Sequence, residues 1–219
     1  MGTVTLLPET TVNPISLIGR RAGYCWGADI SDDEKNYKRG LDCIKSDHGR
    51  TFEFVNIDFV LDGYSARVIR EYMRHVGGGL SVLQASTRYI NEGNFKYITP
   101  PSIAKNEDAL KEYDDCMNRI KACYKYLEEI NIPKEDVALC LPLGMETKLV
   151  DHKNLRNLAD MSHKRLCSRA YHEYRKLFND ITKALNDYSD EWKEVTELLF
   201  KPQCEVLGRC PEKKSCGRF

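Results

Sequence analysis

The sequence predicts a single α/β (α+β) domain with a mixed sheet and long helices. Three observations predict it. Val55, Ile57, Phe59 and Leu61 alternate with Asn56 and Asp58, the period-two pattern of a half-buried strand. Leu110, Tyr113, Met117, Ile120, Tyr124 and Leu127 keep steps of three and four, which predicts an amphipathic helix over about 104–130. The order of such segments is neither a regular βαβ alternation nor all-helical. At 219 residues the chain can bury a real core. The predicted domain is 1–219, with 200–219 a cysteine-containing tail.

Taken in order, "PISLIG" (Pro14 to Gly19) reads as a short strand. "SDDEKNYKRGLDCIKSD" has its acids first and Tyr37, Leu41 and Ile44 at helical spacing, so it reads as a helix. The strand in "FEFVNIDFVLDG" ends at Gly63. Ser65 can cap the following helix "ARVIREYMRH", which the glycines at 77–79 break. "TPPS" is a turn, and "VALCLPL" is a buried strand or extended run. No glycine or proline occurs between Asn154 and Phe200, so one or two long helices are expected, breaking near "NDYSDEW". The end, "KPQCEVLGRCPEKKSCGRF", reads as irregular.

Lys plus Arg number 33, as do Asp plus Glu. No global basic field recruits nucleic acid or a membrane surface. No apolar run reaches a spanning length, and "MGTVTLLPETTVNP" lacks the features of a signal peptide, so a cytoplasmic protein is expected. Of nine cysteines, six (Cys25, Cys43, Cys116, Cys123, Cys140, Cys167) are scattered through ordered segments and are expected to be reduced. Cys204, Cys210 and Cys216 lack the close Cys pair of a zinc knuckle, so no metal is expected and they too read as reduced thiols.

The chemistry concentrates in "RHVGGGLSVLQASTRY", Arg74 to Tyr89. Consecutive glycines let a backbone approach a phosphate and offer it N–H groups. In an extended segment Ser86 and Arg88 share a face, a hydroxyl and a guanidinium fork for one phosphate. Gln84 offers a donor and an acceptor. The set suits a nucleotide, and equally a flexible charged surface loop.

This stretch resembles the signature of the flavin-dependent thymidylate synthases: Arg-His-Arg, two residues, Ser, x, Asn, two residues, Ser, x, Arg-Tyr. Arg74, His75, Ser81, Ser86, Arg88 and Tyr89 match. Two extra residues precede Ser81, Val76 and Leu83 depart from the signature, and Gln84 stands where Glu is usual. "RRAGYCW", "HGRTFEF" (His48, Glu53), "NLRNL" (Asn154, Arg156), Arg165, "AYHEYR" and "GRCPEKKSCG" resemble further family segments in the same order. Glu71 and Ala138 stand where the family commonly has Gln and Arg.

The resemblance implies that family's fold, assembled as a homotetramer, and an enzyme that methylates dUMP to dTMP. Methylenetetrahydrofolate would supply the carbon, and NADPH would reduce FAD. It implies Arg165 as the catalytic residue facing the pyrimidine. Glu71, Arg74, Gln84, Ser86 and Arg88 join Arg165 in holding the nucleotide. Arg50, Glu53, Arg74, His75 and Gln84 line the FAD site, as do Asn154, Arg156, Asp160 and Arg169. The departures leave open a flavoenzyme acting on another pyrimidine nucleotide, or a nucleotide-binding homologue without methyl transfer.

Overall fold

The computed structural model describes residues 2–75 and 81–219. Val76 and the glycines at 77–79 lie outside the described residues. In chain order the elements are β1 (Thr3–Leu6), α1 (Pro14–Cys25), α2 (Asp33–Lys45), a 3-10 helix (Gly49–Phe54), β2 (Asn56–Ser65), α3 (Ala66–Tyr72) and β3 (Ser81–Gln84). There follow α4 (Pro101–Ala104), α5 (Glu107–Glu129), α6 (Lys134–Val137), a 3-10 turn (Ala138–Cys140) and β4 (Glu146–Asn154). The chain then continues through α7 (Leu155–Arg165), α8 (His172–Tyr188), α9 (Asp190–Leu199) and α10 (Gln203–Leu207).

The strands form one sheet in the order β1-β2-β4-β3. Leu7 and Thr11 donate backbone N–H bonds to Asp58 and Asn56, so β1 runs antiparallel to β2. Asp58 sits beside His152 and Asp62 beside Lys148, so β2 and β4 are antiparallel as well. The mixed sheet expected from the sequence is corrected to that extent.

By contacts the chain divides into two compact units. The first is built from Asp62–Met73 and Leu83–Leu149 with the chain start. Its core gathers Phe95, Met117 and Met145 against Tyr97, Tyr113 and Ile120. The inward positions Met117, Ile120 and Tyr124 are those that the helical spacing of α5 selects. Asn106 caps α5 by accepting from Ala109 N–H at 3.0 Å, and Glu107 and Asp108 favour its positive N-terminus. Ser65 caps α3 as expected, accepting from Val68 N–H at 3.1 Å.

The second unit comprises Thr3–Leu61, Val150–Phe219 and the described residues of Arg74–Val82. Its core includes Ile15, Ile18, Phe52, Ile57, Leu158, Phe178 and Trp192, all at most 3 % exposed. Here α1 crosses α2 with no room between backbones. A Cβ on Gly19 would lie 1.8 Å from the Asn36 carbonyl oxygen, and one on Gly40 would lie 2.0 Å from that of Ile15.

Four local expectations need correction. "PISLIG" is the start of helix α1, with Pro14 in its first turn, where a missing N–H costs nothing. "VALCLPL" is not a strand: Val137 is buried at the end of α6, and Leu139 is 85 % exposed in the 3-10 turn. The break at Ser189 is as expected, but a second lies between α7 and α8 without glycine or proline. There Arg175 donates to the carbonyls of Ser168 and Ala170, satisfying backbone that a continuous helix would have paired. The tail is not wholly irregular, since α10 forms within it and buries Cys204. No helix among the described residues is long and apolar enough to cross a membrane.

Candidate active site

Within the second unit the structure brings three residues together. Arg165, the last residue of α7, donates Nε–H to His75 Nε2 at 3.0 Å. Its guanidinium carbon lies over the Tyr174 ring, 4.2 Å from the centroid. His75 stands edge-on to the same ring at 6.2 Å. Tyr174 comes from α8 and is fully buried, so Arg165 rests on an immobile platform.

An imidazole nitrogen can accept a hydrogen bond only when it carries no proton, so the contact requires neutral His75. Burial first, and then the surrounding cations Arg165, Lys164, Lys153 and Arg74, push the His75 pKa down to about 4. In the unfolded chain the group titrates near its ordinary value. Between about 6.5 and about 4 the unfolded chain thus holds a proton that the folded one lacks. Stability contributed by neutral His75 is full above that window and is lost as pH falls through it. Discounted for partial exposure, the loss is about 1–2 kcal/mol, or roughly 3–6 °C in Tm. Comparing Tm from pH 7 to pH 4.5 for wild type and His75→Gln should show a smaller acid loss in the variant. Parallel curves would refute it.

In the same unit β4 carries a buried ion pair that the sequence did not reveal. Lys153 Nζ lies 2.9 and 3.1 Å from the two carboxylate oxygens of Asp151, with both side chains fully buried. Paired charges survive burial because each neutralises the other.

The other residues expected at a flavin also fall in the second unit, Gln84 excepted. Arg156 Nη1 pairs with Glu53 Oε1 at 2.9 Å, joining α7 to the 3-10 helix. Arg156 and Asp160, one turn apart, line a cavity of about 400 Å³ with Gly49, as their shared helix face predicts. Asn154 caps α7, its Oδ1 accepting from Asn157 N–H at 2.9 Å. The buried Oδ1 of Asn157 has no hydrogen-bond partner among the described residues. Arg50 lines a second cavity of about 720 Å³ with Arg21, His48 and the aromatic rings of Tyr24, Trp26 and Phe54. Arg21, Tyr24 and Trp26 belong to the "RRAGYCW" segment, which the sequence matched to the family without giving these residues a site role. Their signal was a basic pair and aromatics at the end of one helix. Arg169 donates Nη1–H to the Lys214 carbonyl at 3.0 Å and lies 3.7 Å from Glu212, so it holds the tail.

Within the first unit, Ser86 and Arg88 are not extended as expected. The Ser86 carbonyl accepts from both Tyr89 and Ile90 N–H at 3.1 Å, which makes the segment a helical turn. Ser86 Oγ accepts from Arg88 N–H at 3.3 Å. Arg88 Nε lies 3.1 Å from Glu135, with both side chains exposed. Gln84, the last residue of β3, reaches Thr147 Oγ1 at 3.5 Å. Glu71 is half-buried in the last turn of α3, and Ala138 opens the 3-10 turn. Among the described residues, no group of His, Cys, Asp and Glu is placed to hold a metal ion.

Comparison with known proteins adds the following. A family model described as "Thymidylate synthase complementing protein" matches residues 7–188. The chain is 30 % identical over 247 residues to the "Flavin-dependent thymidylate synthase" of Clostridium tetani (strain Massachusetts / E88), covering 100 % of this chain and 94 % of the relative. It is 28 % identical over 241 residues to the protein of the same name from Nitratidesulfovibrio vulgaris, covering 99 % of this chain and 94 % of that one. A third relative so named, from Pyrococcus horikoshii, is 31 % identical over 176 residues, with 76 % of this chain and 70 % of the relative covered.

Proposed function

Because the chain belongs to the flavin-dependent thymidylate synthase family, we propose that it methylates dUMP at C5 to give dTMP. The enzyme's cofactor is FAD, with NADPH and methylenetetrahydrofolate as co-substrates. When bound, the flavin supplies the reducing equivalents that the added carbon requires. The donor set of the second unit fits such a dinucleotide. It offers aromatic walls at Tyr24, Trp26 and Phe54, cations at Arg21, Arg50 and Arg156, and the orphaned Asn157 oxygen.

The observation that carries the reading is the fixed guanidinium of Arg165. A cation bound to a neutral histidine and laid on a buried ring keeps its charge in one place and loses little entropy when an anionic ring meets it. In the first unit Ser86 and Arg88 would hold the nucleotide phosphate, with Gln84 beside them and Glu71 nearby in the chain order of the family signature. Asn154, Arg156, Asp160, Glu53, Arg50, Arg74, His75 and Arg169 belong to the flavin side of this reading.

Two companion expectations go with it. Leu83, Tyr89 and Leu139 are 75, 79 and 85 % exposed in the first unit, apolar surface that a homotetramer would cover. Light scattering should then exceed the 25.2 kDa monomer. Both units are assembled from separated chain segments, which suits one domain over 1–219. A cytoplasmic location also belongs to this reading.

The test is to purify the chain, add FAD and look for flavin absorbance near ~450 nm, then supply dUMP, methylenetetrahydrofolate and NADPH. Product with the mass of dTMP is expected. FAD that binds while dUMP is returned unchanged would refute the substrate and leave the cofactor. Arg88→Ala should weaken dUMP binding by about 2–3 kcal/mol through loss of a charge-assisted fork. Glu135→Gln, by releasing Arg88, should strengthen it. Titration calorimetry showing neither change would remove Arg88 from the phosphate. A second reading, a nucleotide-binding homologue without methyl transfer, rests on the departures at Val76, Leu83 and Ala138 and is favoured further by the hold of Glu135 on Arg88.

A further inference from the structure

The tail forms part of a cavity that Arg165 and Arg169 also line and whose cysteines the proposed reaction does not use. It measures about 360 Å³ and is lined by the end of α7, the segment joining α7 to α8, α10 and the tail. Four of the nine cysteines line it: Cys167, Cys204, Cys210 and Cys216. All four are free thiols. Cys204 is buried, Cys167 and Cys210 are half-buried, and Cys216 is exposed. Lys164, Arg165 and Arg169 line the same cavity against the one carboxylate of Glu212, so anions entering it meet an excess of positive charge.

The tail is held in place rather than left loose. Arg169 binds the Lys214 carbonyl, and Arg218 Nη1 meets Glu205 of α10 at 3.2 Å. Within that frame the Ser168 hydroxyl, followed by the Arg218 backbone N–H, holds the Cys216 thiol below its usual range. An exposed thiol that ionises more readily than usual, on a cavity wall shared with three less exposed thiols, suits an attacking and a resolving sulfur.

We propose that this cavity is a thiol–disulfide exchange site at which Cys216 reacts with an anionic low-molecular-weight disulfide and is resolved by a second cavity cysteine. In the first step the Cys216 thiolate forms a bond to one sulfur of the small disulfide, and the other sulfur leaves as a thiolate. In the second step a cavity thiolate attacks Cys216 sulfur and expels the remaining small thiolate. Two protein thiols are oxidised to one disulfide, and the small disulfide is reduced to two thiols that take up the two protons. The product ties the tail to the cavity that Arg165 also lines.

The test uses the reduced 219-residue chain with oxidised glutathione, followed by intact mass and peptide mapping. A transient glutathione adduct on Cys216 is expected, formed about tenfold faster than on the exposed Cys25 or Cys123. It should give way to a protein two hydrogens lighter, with the Cys216 peptide joined to that of Cys167, Cys204 or Cys210. Cys216→Ser, an exposed position that leaves packing intact, should abolish the internal disulfide. Ser168→Ala should slow the first step and spare the second. Equal reactivity of Cys25 and Cys216, or an adduct that persists without an internal disulfide, would overturn the proposal. So would zinc retained stoichiometrically by the reduced chain through dialysis and lost in Cys216→Ser, which would make the cluster a metal site.

Discussion

Gly19→Ala is expected to destabilise the protein by about 3 kcal/mol, lowering Tm by roughly 6–12 °C. The added methyl carbon would stand 1.8 Å from the Asn36 carbonyl oxygen, and the next nearest atoms, at 2.7 Å, are also backbone of α2. A flexible side chain could turn aside, but backbone cannot, so α1 and α2 must separate and expose Ile15, Ile18 and Ile44. Gly40→Ala meets the Ile15 carbonyl from the other side at 2.0 Å and should cost a similar amount. Because one separation relieves both clashes, the double variant should lose less than the two single losses added together. Gly49→Ala is the control: its new carbon would meet Arg156 side-chain atoms at an ordinary 3.7 Å. Thermal and urea unfolding report all four variants, and an unchanged midpoint for Gly19→Ala would mean that the crossing is looser than described.

The crossing also matters to the proposed flavin site. Arg21, Tyr24 and Trp26 project from the end of α1 or just beyond it into the 720 Å³ cavity, opposite Cys43 and the 3-10 helix. Where α1 ends is fixed by how closely it lies on α2. A Gly19 variant that still folds should therefore lose flavin before it loses secondary structure.

How much of this was legible in the sequence depended on whether local pattern and tertiary environment agreed. In β2 and α5 they agreed, and Ile57, Phe59, Met117 and Tyr124 are inside as the periodicity requires. In α1 they conflicted. A short β-branched run reads as a strand, but Gly19 permits a helix to pack where no other residue would fit, and Pro14 starts it. β4 was missed because its inward face is Thr147, Leu149, Asp151 and Lys153, and a buried ion pair does not read as apolar. β1 was missed because it is four residues long and only half-buried. At the site, motif spacing singled out Arg165 and His75, and the structure joins them directly. Spacing could not show Tyr174 as the platform, since Arg165 and Tyr174 sit on different helices separated by a break that no glycine or proline announces.

Arg165→Lys is expected to lower turnover about 100-fold, equivalent to about 2.7 kcal/mol of transition-state stabilisation, with a smaller loss of dUMP affinity. Lysine keeps the charge but has no Nε–H to give His75 and no plane to lay on Tyr174. An ammonium on a flexible stem must then be ordered during the reaction instead of before it. If Arg165 stabilises negative charge as it develops on the pyrimidine, the loss appears in flavin reoxidation by dUMP and methylenetetrahydrofolate. Flavin reduction by NADPH, which leaves the pyrimidine uncharged, should stay within about twofold of wild type. Tyr174→Phe keeps the ring under the guanidinium and should retain most turnover. Tyr174→Leu fills similar space without a π face and should move part of the way towards Arg165→Lys. Stopped-flow measurement of the two half-reactions separates the alternatives. Equal losses in both would assign Arg165 a structural role, and unchanged rates in both would place it outside the active site.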